Sequence, residues 1–422
     1  MWRIIYNGIV FPTIQLAAQI ISLQNPKFRR AIRGRRGWKE RLRTAVGQFR
    51  SRSPVIWIHA ASMGEFEHAK PIISELKSRF PKSSLVLTFF SPSAHDHVSS
   101  YPGVNIIEYL PLDSRKEVTR FYEILKPTIG LIVKHDTWPN LCWLAHDRNI
   151  PLFLVDASLP KNSNRLRISA FSRSVYRSFR EILSVSPDDA IRFERITHDK
   201  SKIKVMGDTR YDQVFSRSQK AKEETIIPAK ILKGKTVAII GSDWPEDDQH
   251  LLPVLKQLFN SRNNLLAILV PHEIEERQYQ SIEHELVDVI RLSNILQYQG
   301  QRVILVDRIG VLAGLYSIGH LAFVGGAFST GVHSVMEPAV FGLPVFTGPK
   351  IENSHEAGEL VTRGGAFVIR SSGELLESWT KLLSNETHRL QAGKRSSDFV
   401  RQNLGATRWL VDHLEPFNQK EL

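Results

Sequence analysis

The sequence predicts an α/β protein built from two doubly wound domains. Short β-branched runs recur along the chain and are apolar at nearly every position, as strands buried on both faces are. Helical patterns lie between several of them: Ala69, Ile72, Ile73 and Leu76 fall on one helix face. At 422 residues the chain is also too long for a single core.

The elements follow in order. Ile4 to Leu23 is mostly apolar, interrupted by Asn7, Pro12, Gln15 and Gln19. It is close to the ~20 apolar residues a membrane span needs. From Lys27 to Arg43 the chain reads KFRRAIRGRRGWKERLR, with Glu40 its one acid. A secretory signal carries its charges before the apolar stretch, and here they come after. Residues 1–45 are therefore expected to be a membrane-association segment, either spanning or lying flat. Bases on its inner flank would keep the body of the protein in the cytoplasm or meet anionic headgroups. The alternative is a packed helix followed by a solvated basic loop.

In the first half, strands are expected at Val55–His59, Leu85–Phe89, Val104–Tyr109, Ile129–Val133, Leu152–Val155, Ile182–Val185 and Ile203–Met206. In the second half they are expected at Val237–Ile240, Leu266–Val270, Val303–Val306, Leu321–Val324, Pro344–Phe346 and Ala366–Ile369. The polar stretch Ser216 to Thr225 reads as the linker. It divides domains at 46–220 and 221–422.

Ligands of such folds bind beyond the carboxyl ends of strands, so those loops hold the candidates. The first is HAASMGE, with Ser62, Gly64 and Glu65 at a helix start. Glu65 is either a general base or a complement to the helix dipole. After the fourth strand, KHDTWPN offers Lys134, His135 and Asp136, and Trp138 reads as core. Lys161 and Arg165 lie in a polar loop further on. In the second domain Gly241 and Ser242 follow one strand and His272 another. The richest stretch is FVGGAFSTGVHSVMEPAVFGLPVFTG, with Gly325, Gly326, Gly331, His333, Ser334 and Glu337. Glycines there would let backbone N–H groups approach a phosphate, and Glu337 would suit a ribose diol. A plain strand-to-helix turn is the alternative.

Composition narrows the class. A formal charge of +13 calls for an anionic partner. The single cysteine, Cys142, excludes an intrachain disulfide and a cysteine-based zinc site. No G-x-G-x-x-G with a following acid marks a dinucleotide cofactor, and no D-x-D string recommends a catalytic metal. Only Phe28 and Trp38 interleave the basic run, which is thin for nucleic acid.

HAASMGE, KHDTWPN, VDASLPKNSNR, VMGDTRYD, the strand-end PHE and GVHSVMEPAVFGLPVFTGP stand in one order along the chain. In this the sequence resembles the bacterial transferases of 3-deoxy-D-manno-octulosonic acid (Kdo), from the N-terminal segment almost to the C-terminus. The resemblance implies a GT-B fold, two Rossmann-like domains facing across a cleft. It implies inverting, metal-independent transfer from CMP-Kdo to a phosphorylated lipid A precursor, with no cofactor, on the cytoplasmic side of the inner membrane. Glu65 falls on the family's general base. Gly241, Ser242, His272, Gly325, Gly326, Gly331, His333, Ser334 and Glu337 fall on the donor side, with Glu337 at the ribose. Ser62, Gly64, Asp136, Lys161 and Arg165 fall on the acceptor side. Two departures stand out: Ser334 replaces the usual asparagine, and Lys134 replaces an acid. Two other classes fit the residues alone: a GT-B transferase or epimerase using a UDP-sugar, and a non-enzymatic basic protein that binds membrane or nucleic acid.

Overall fold

The computed structural model describes residues 1–49, 53–167 and 169–418. The chain forms two compact units, Met1–Gln213 with the stretch from Leu404 onward, and Val214–Asn403.

The first unit is a parallel sheet of seven strands in the order β3-β2-β1-β4-β5-β6-β7. They are β1 (Val55–His59), β2 (Ser84–Phe89), β3 (Ile106–Tyr109), β4 (Ile129–Val133), β5 (Leu152–Ala157), β6 (Glu181–Ser184) and β7 (Ile203–Val205). Every residue of β1, β2, β4 and β5 is buried, which explains their unbroken apolar runs. Successive residues of β1 serve opposite faces. Trp57 packs with Phe121 and Tyr122, while Ile58 joins Phe66, Ile72 and Leu76. Trp57 pairs with Gly130 of β4, where a Cβ would lie 2.8 Å from the indole ring. Only glycine leaves room for that tryptophan.

Among the described residues one helix, Trp2–Gln24, is long and apolar enough to cross a membrane. Its first half is docked on the first unit. Tyr6 and Phe11 are buried, and Tyr6 meets the Trp143 ring edge-on at 5.8 Å. Arg3 pairs with Asp147 at 2.7 Å, and Asn7 exchanges amide hydrogen bonds with Asn140 at 3.0 and 2.9 Å. Beyond Phe11 the helix is largely exposed, including Ile14, Leu16, Ile20 and Leu23. The basic stretch is not a solvated loop. It forms two helices, Pro26–Gly34 and Trp38–Val46, and buries Trp38 and Leu42 in the core.

The second unit repeats the plan in the order β10-β11-β9-β8-β12-β13-β14, all parallel. Its strands are β8 (Thr236–Asp243), β9 (Leu265–Pro271), β10 (Val289–Arg291), β11 (Val303–Leu305), β12 (Leu321–Val324), β13 (Val345–Thr347) and β14 (Ala366–Val368). β10 is additional to the expected strands.

Two boundary expectations are corrected. The helix Thr209–Ala221 runs through the first half of the expected linker, because Tyr211, Val214, Ser218 and Ala221 form a buried stripe on it. The final helix, Ala406–Asn418, belongs to the first unit rather than the second. Leu410, Val411 and Leu414 are fully buried beside Ile72, Ile73 and Leu76. Asp212 fixes the entry, accepting from the Gly405 and Thr407 amides at 2.8 Å each.

In each sheet the strand order reverses at a central pair, β1/β4 in one and β8/β12 in the other. A crevice opens at the carboxyl ends of such a pair.

Candidate active site

In the first unit the loops after β1 and β4 bring three titratable groups together. Ser62 caps the Met63–Arg79 helix, its Oγ accepting from the Glu65 amide at 3.4 Å. That places Glu65 in the first turn, 8% exposed, its carboxylate accepting from the Ala61 amide. Burial raises its affinity for a proton, and the Asp136 charge raises it further. The Ala61 amide, His59 and Lys134 oppose this without cancelling it. A carboxylate so placed is a stronger base than an exposed one.

Asp136 has the opposite environment. Burial alone would raise it, but His59 Nε2 at 2.9 Å and Trp138 Nε1 at 3.0 Å hold it below its ordinary value. His59 is fully buried at the end of β1, its Nδ1 3.0 Å from the Thr88 carbonyl and hydroxyl oxygens. Two neighbouring carboxylates are thus driven apart, one toward the proton and one away from it. Trp138, expected in the core, is half-buried. It stacks on Phe90 at 4.9 Å and steers Asp136. Lys134 adopts a left-handed backbone (φ 64°) at the turn. Arg165 braces the loop by donating to the His135 carbonyl at 2.9 Å. Lys161 is exposed, and among the described residues no hydrogen bond or ion pair joins it to this group. Gly64 has open space around a built Cβ, with Ser62 Oγ nearest at 3.9 Å, so packing does not demand glycine there.

The second unit gathers its candidates at the β8/β12 switch. Trp244 lies over His272 at 4.6 Å, and His272 over His333 at 4.3 Å. The indole N–H donates to His333 Nε2 at 3.0 Å, which puts the ring proton on Nδ1. Burial, then the neighbouring His272, lowers the His333 affinity for a second proton. Asp247 ties the two loops together, its Oδ2 accepting from the Trp244 amide at 2.9 Å and the Gly326 amide at 2.8 Å.

The glycines serve chain crossing. A Cβ on Gly325 would fall 2.3 Å from the Ser242 carbonyl, and one on Gly241 would fall 2.1 Å from the Tyr316 hydroxyl. Gly326 (φ 91°) and Gly331 (φ 130°) turn left-handed. Their N–H groups are not held open for a phosphate, as the sequence suggests. Gly325 donates to the Gly241 carbonyl, Gly326 to Asp247, and Gly331 to the Gly326 carbonyl. Glu337 stands in the first turn of the short helix Met336–Val340, with Arg217 at 3.6 Å. Ser242 has a left-handed backbone (φ 54°), and Ser334 is exposed.

Sequence reasoning passed over His59, Trp244, Asp247 and Arg217. A histidine ending an apolar strand and a tryptophan before a helix-starting proline were the available signals.

Among the described residues one group could hold a metal ion: His68, Asp156 and Asp208, all buried. Its oxygens already have partners. Asp156 accepts from the Thr209 amide and hydroxyl, and Arg210 binds Asp208 at 2.6 Å. His68 Nδ1 lies 3.6 and 3.5 Å from the two carboxylates and makes no hydrogen bond among the described residues.

Comparison with known proteins places the chain beside one family of transferases. A family model described as 3-Deoxy-D-manno-octulosonic-acid transferase (kdotransferase) matches residues 36–213. The 3-deoxy-D-manno-octulosonic acid transferase of Haemophilus influenzae is 27% identical over 435 residues, covering 100% of both chains. That of Aquifex aeolicus is 29% identical, covering 78% of this chain and 86% of its own. Among solved structures, the UDP-GlcNAc 2-epimerase of Neisseria meningitidis has a TM-score of 0.61 at 16% identity, over 86% of this chain and 100% of its own. MurG of Acinetobacter baumannii scores 0.55 at 15% identity, over 86% and 99%. These two likenesses concern the fold alone, the GT-B pair of Rossmann-like domains.

Proposed function

Because this chain belongs to the bacterial Kdo transferase family, glycosyltransferases of lipopolysaccharide synthesis, we propose that it moves Kdo from CMP-Kdo to a phosphorylated lipid A precursor of the lipid IVA type. Transfer inverts the anomeric centre and needs no metal. The observation that carries this reading is Glu65, a buried carboxylate of raised proton affinity at the β1/β4 switch point.

Glu65 takes the proton of the attacking acceptor hydroxyl. The new bond forms from that oxygen to the anomeric carbon as the bond from that carbon to the CMP phosphate oxygen breaks. CMP leaves with the electron pair. Asp136, held ionised, keeps negative charge beside Glu65 and so maintains its basicity. On the donor side, Glu337 accepts from the ribose hydroxyls, and His333, donating from Nδ1, faces the phosphate or base. Gly241, Gly325, Gly326 and Gly331 shape that loop, and Ser242, His272 and Ser334 complete its lining.

The N-terminal helix supports a monotopic attachment. Residues 2–11 are committed to the first unit through Arg3, Tyr6, Asn7 and Phe11. The remaining residues, 12–24, reach roughly 20 Å, short of the ~30 Å hydrocarbon core. This supports reading the apolar helix as entering one leaflet, and the basic flank supports the cytoplasmic side of the inner membrane as its place.

The test is direct. Purified protein is incubated with CMP-Kdo and a lipid A precursor, and the lipid product is weighed. A mass gain of one or more Kdo residues is expected. Stabilisation by UDP-GlcNAc but not CMP, with no lipid product, would favour the UDP-sugar alternative.

A further inference from the structure

Beside the N-terminal helix lies a pocket of 630 Å³ walled by arginines. Pro26, Arg29, Arg30 and Arg33 line it from one face of the Pro26–Gly34 helix, at spacings of three and four. His95, stacked on Tyr109 at 3.8 Å, forms the floor. A Cβ on Gly34 would fall 2.6 Å from the Tyr109 ring, so the helix rests on that floor only because residue 34 is glycine.

The arginines differ in commitment. Arg41 is bound to Glu108 through two nitrogens at 2.8 and 2.7 Å. Arg29 donates to the Ser22 and Leu23 carbonyls, closing the end of the Trp2–Gln24 helix. Arg30 reaches Asp96 only at 3.4 Å, and both side chains are well exposed, a pairing of little worth. Arg33 is exposed and has no ion-pair partner among the described residues. Two guanidinium groups thus remain to bind an anion, in a pocket whose one lining acid, the same Asp96, is also shared with Tyr109.

We propose that this pocket seats the phosphodiester of an anionic membrane phospholipid. The position argues for that occupant. The arginine helix follows the apolar helix after one residue, Asn25, and packs against it. With the apolar helix among acyl chains, the arginines stand at the level of the headgroups. A guanidinium pair matches phosphate oxygens by paired N–H donors, where lysines would offer only point charges. The inference rests on membrane attachment through this helix and is independent of the sugar donor.

Full-length protein is partitioned onto phosphatidylcholine vesicles with and without phosphatidylglycerol. Arg30→Gln/Arg33→Gln is compared with Arg36→Gln/Arg43→Gln, which removes the same charge from exposed positions outside the pocket. The pocket pair should lose about tenfold or more of the phosphatidylglycerol-dependent partitioning, and the control pair about threefold at most. Equal losses would overturn the seat and leave a diffuse basic surface. If the double variant does not fold, Arg33→Gln against Arg36→Gln makes the same comparison. A second arm separates the sources of phosphate. In neutral detergent without phospholipid, the acceptor KM of the pocket pair should equal the parent's. A rise confined to the pocket pair would give the seat to the acceptor's phosphate and overturn the proposal. Absence of transfer in the parent would count against the proposed function, while the vesicle arm still decides the pocket.

Discussion

The Tyr6 hydroxyl donates to Asp113 Oδ2 at 2.9 Å, and both residues are buried. The same carboxylate accepts from the Asn140 and Leu141 amides at 3.0 and 2.9 Å. One side chain thus joins the N-terminal helix to the Pro139–Asp147 helix. Tyr6→Phe should cost roughly 1–3 kcal/mol, read by denaturant unfolding, and should hasten proteolysis within residues 1–24. Unchanged stability would mean the helix docks by its rings alone. Burial pushes Asp113 up to about 7 despite its donors. A carboxyl raised on folding contributes stability that is full below about pH 4 and lost as pH rises through about 7. Asp113→Asn should flatten that fall.

Glu65→Gln should lower transfer by about 10²–10⁴-fold. It should leave the melting temperature equal or higher, because a buried charge is removed while an oxygen remains for the Ala61 amide. Near-parental turnover would take Glu65 out of the base role.

Lys134 opposes the upward push on Glu65. Lys134→Glu should therefore raise the proton affinity of Glu65 further. Since the base works ionised, the acid limb of kcat/KM should move to higher pH, from a parental limb already above the ordinary glutamate range. A limb that stays put would show that another group limits the rate.

Glu337→Ala should raise the donor KM more than it lowers kcat. A charged hydrogen bond to a diol is worth roughly 1.5–3 kcal/mol. An unchanged KM would leave Glu337 a structural role beside Arg217.

Excess EDTA should leave transfer intact. The His68, Asp156 and Asp208 group already has Thr209 and Arg210 as partners. Loss of activity, restored by a divalent cation, would turn attention to that group.

The legibility of the fold follows burial. β1, β2, β4 and β5 are buried at every position, and their apolar runs announce them. β10 has only Ile290 buried in three residues, too little for a pattern. Glu65, Glu337 and the glycines could be marked from their loops alone, because strand ends of this fold face ligands. What Gly325 and Gly326 do could not, since their N–H partners come from the β8 strand and the helix after it. His59 read as the end of a strand, because its partner Asp136 lies 77 residues away. The polar helix 209–221 resembled a linker because its buried face is narrow.

The return of the last helix sets an order on biosynthesis. Residues 214–403 are contiguous, so the second unit has all its chain once residue 403 has left the ribosome. The first unit does not. Its sheet is made early, yet Ile72, Ile73 and Leu76 lack their cover until Leu410, Val411 and Leu414 emerge. The nascent protein must carry that apolar surface through the whole translation of its second half.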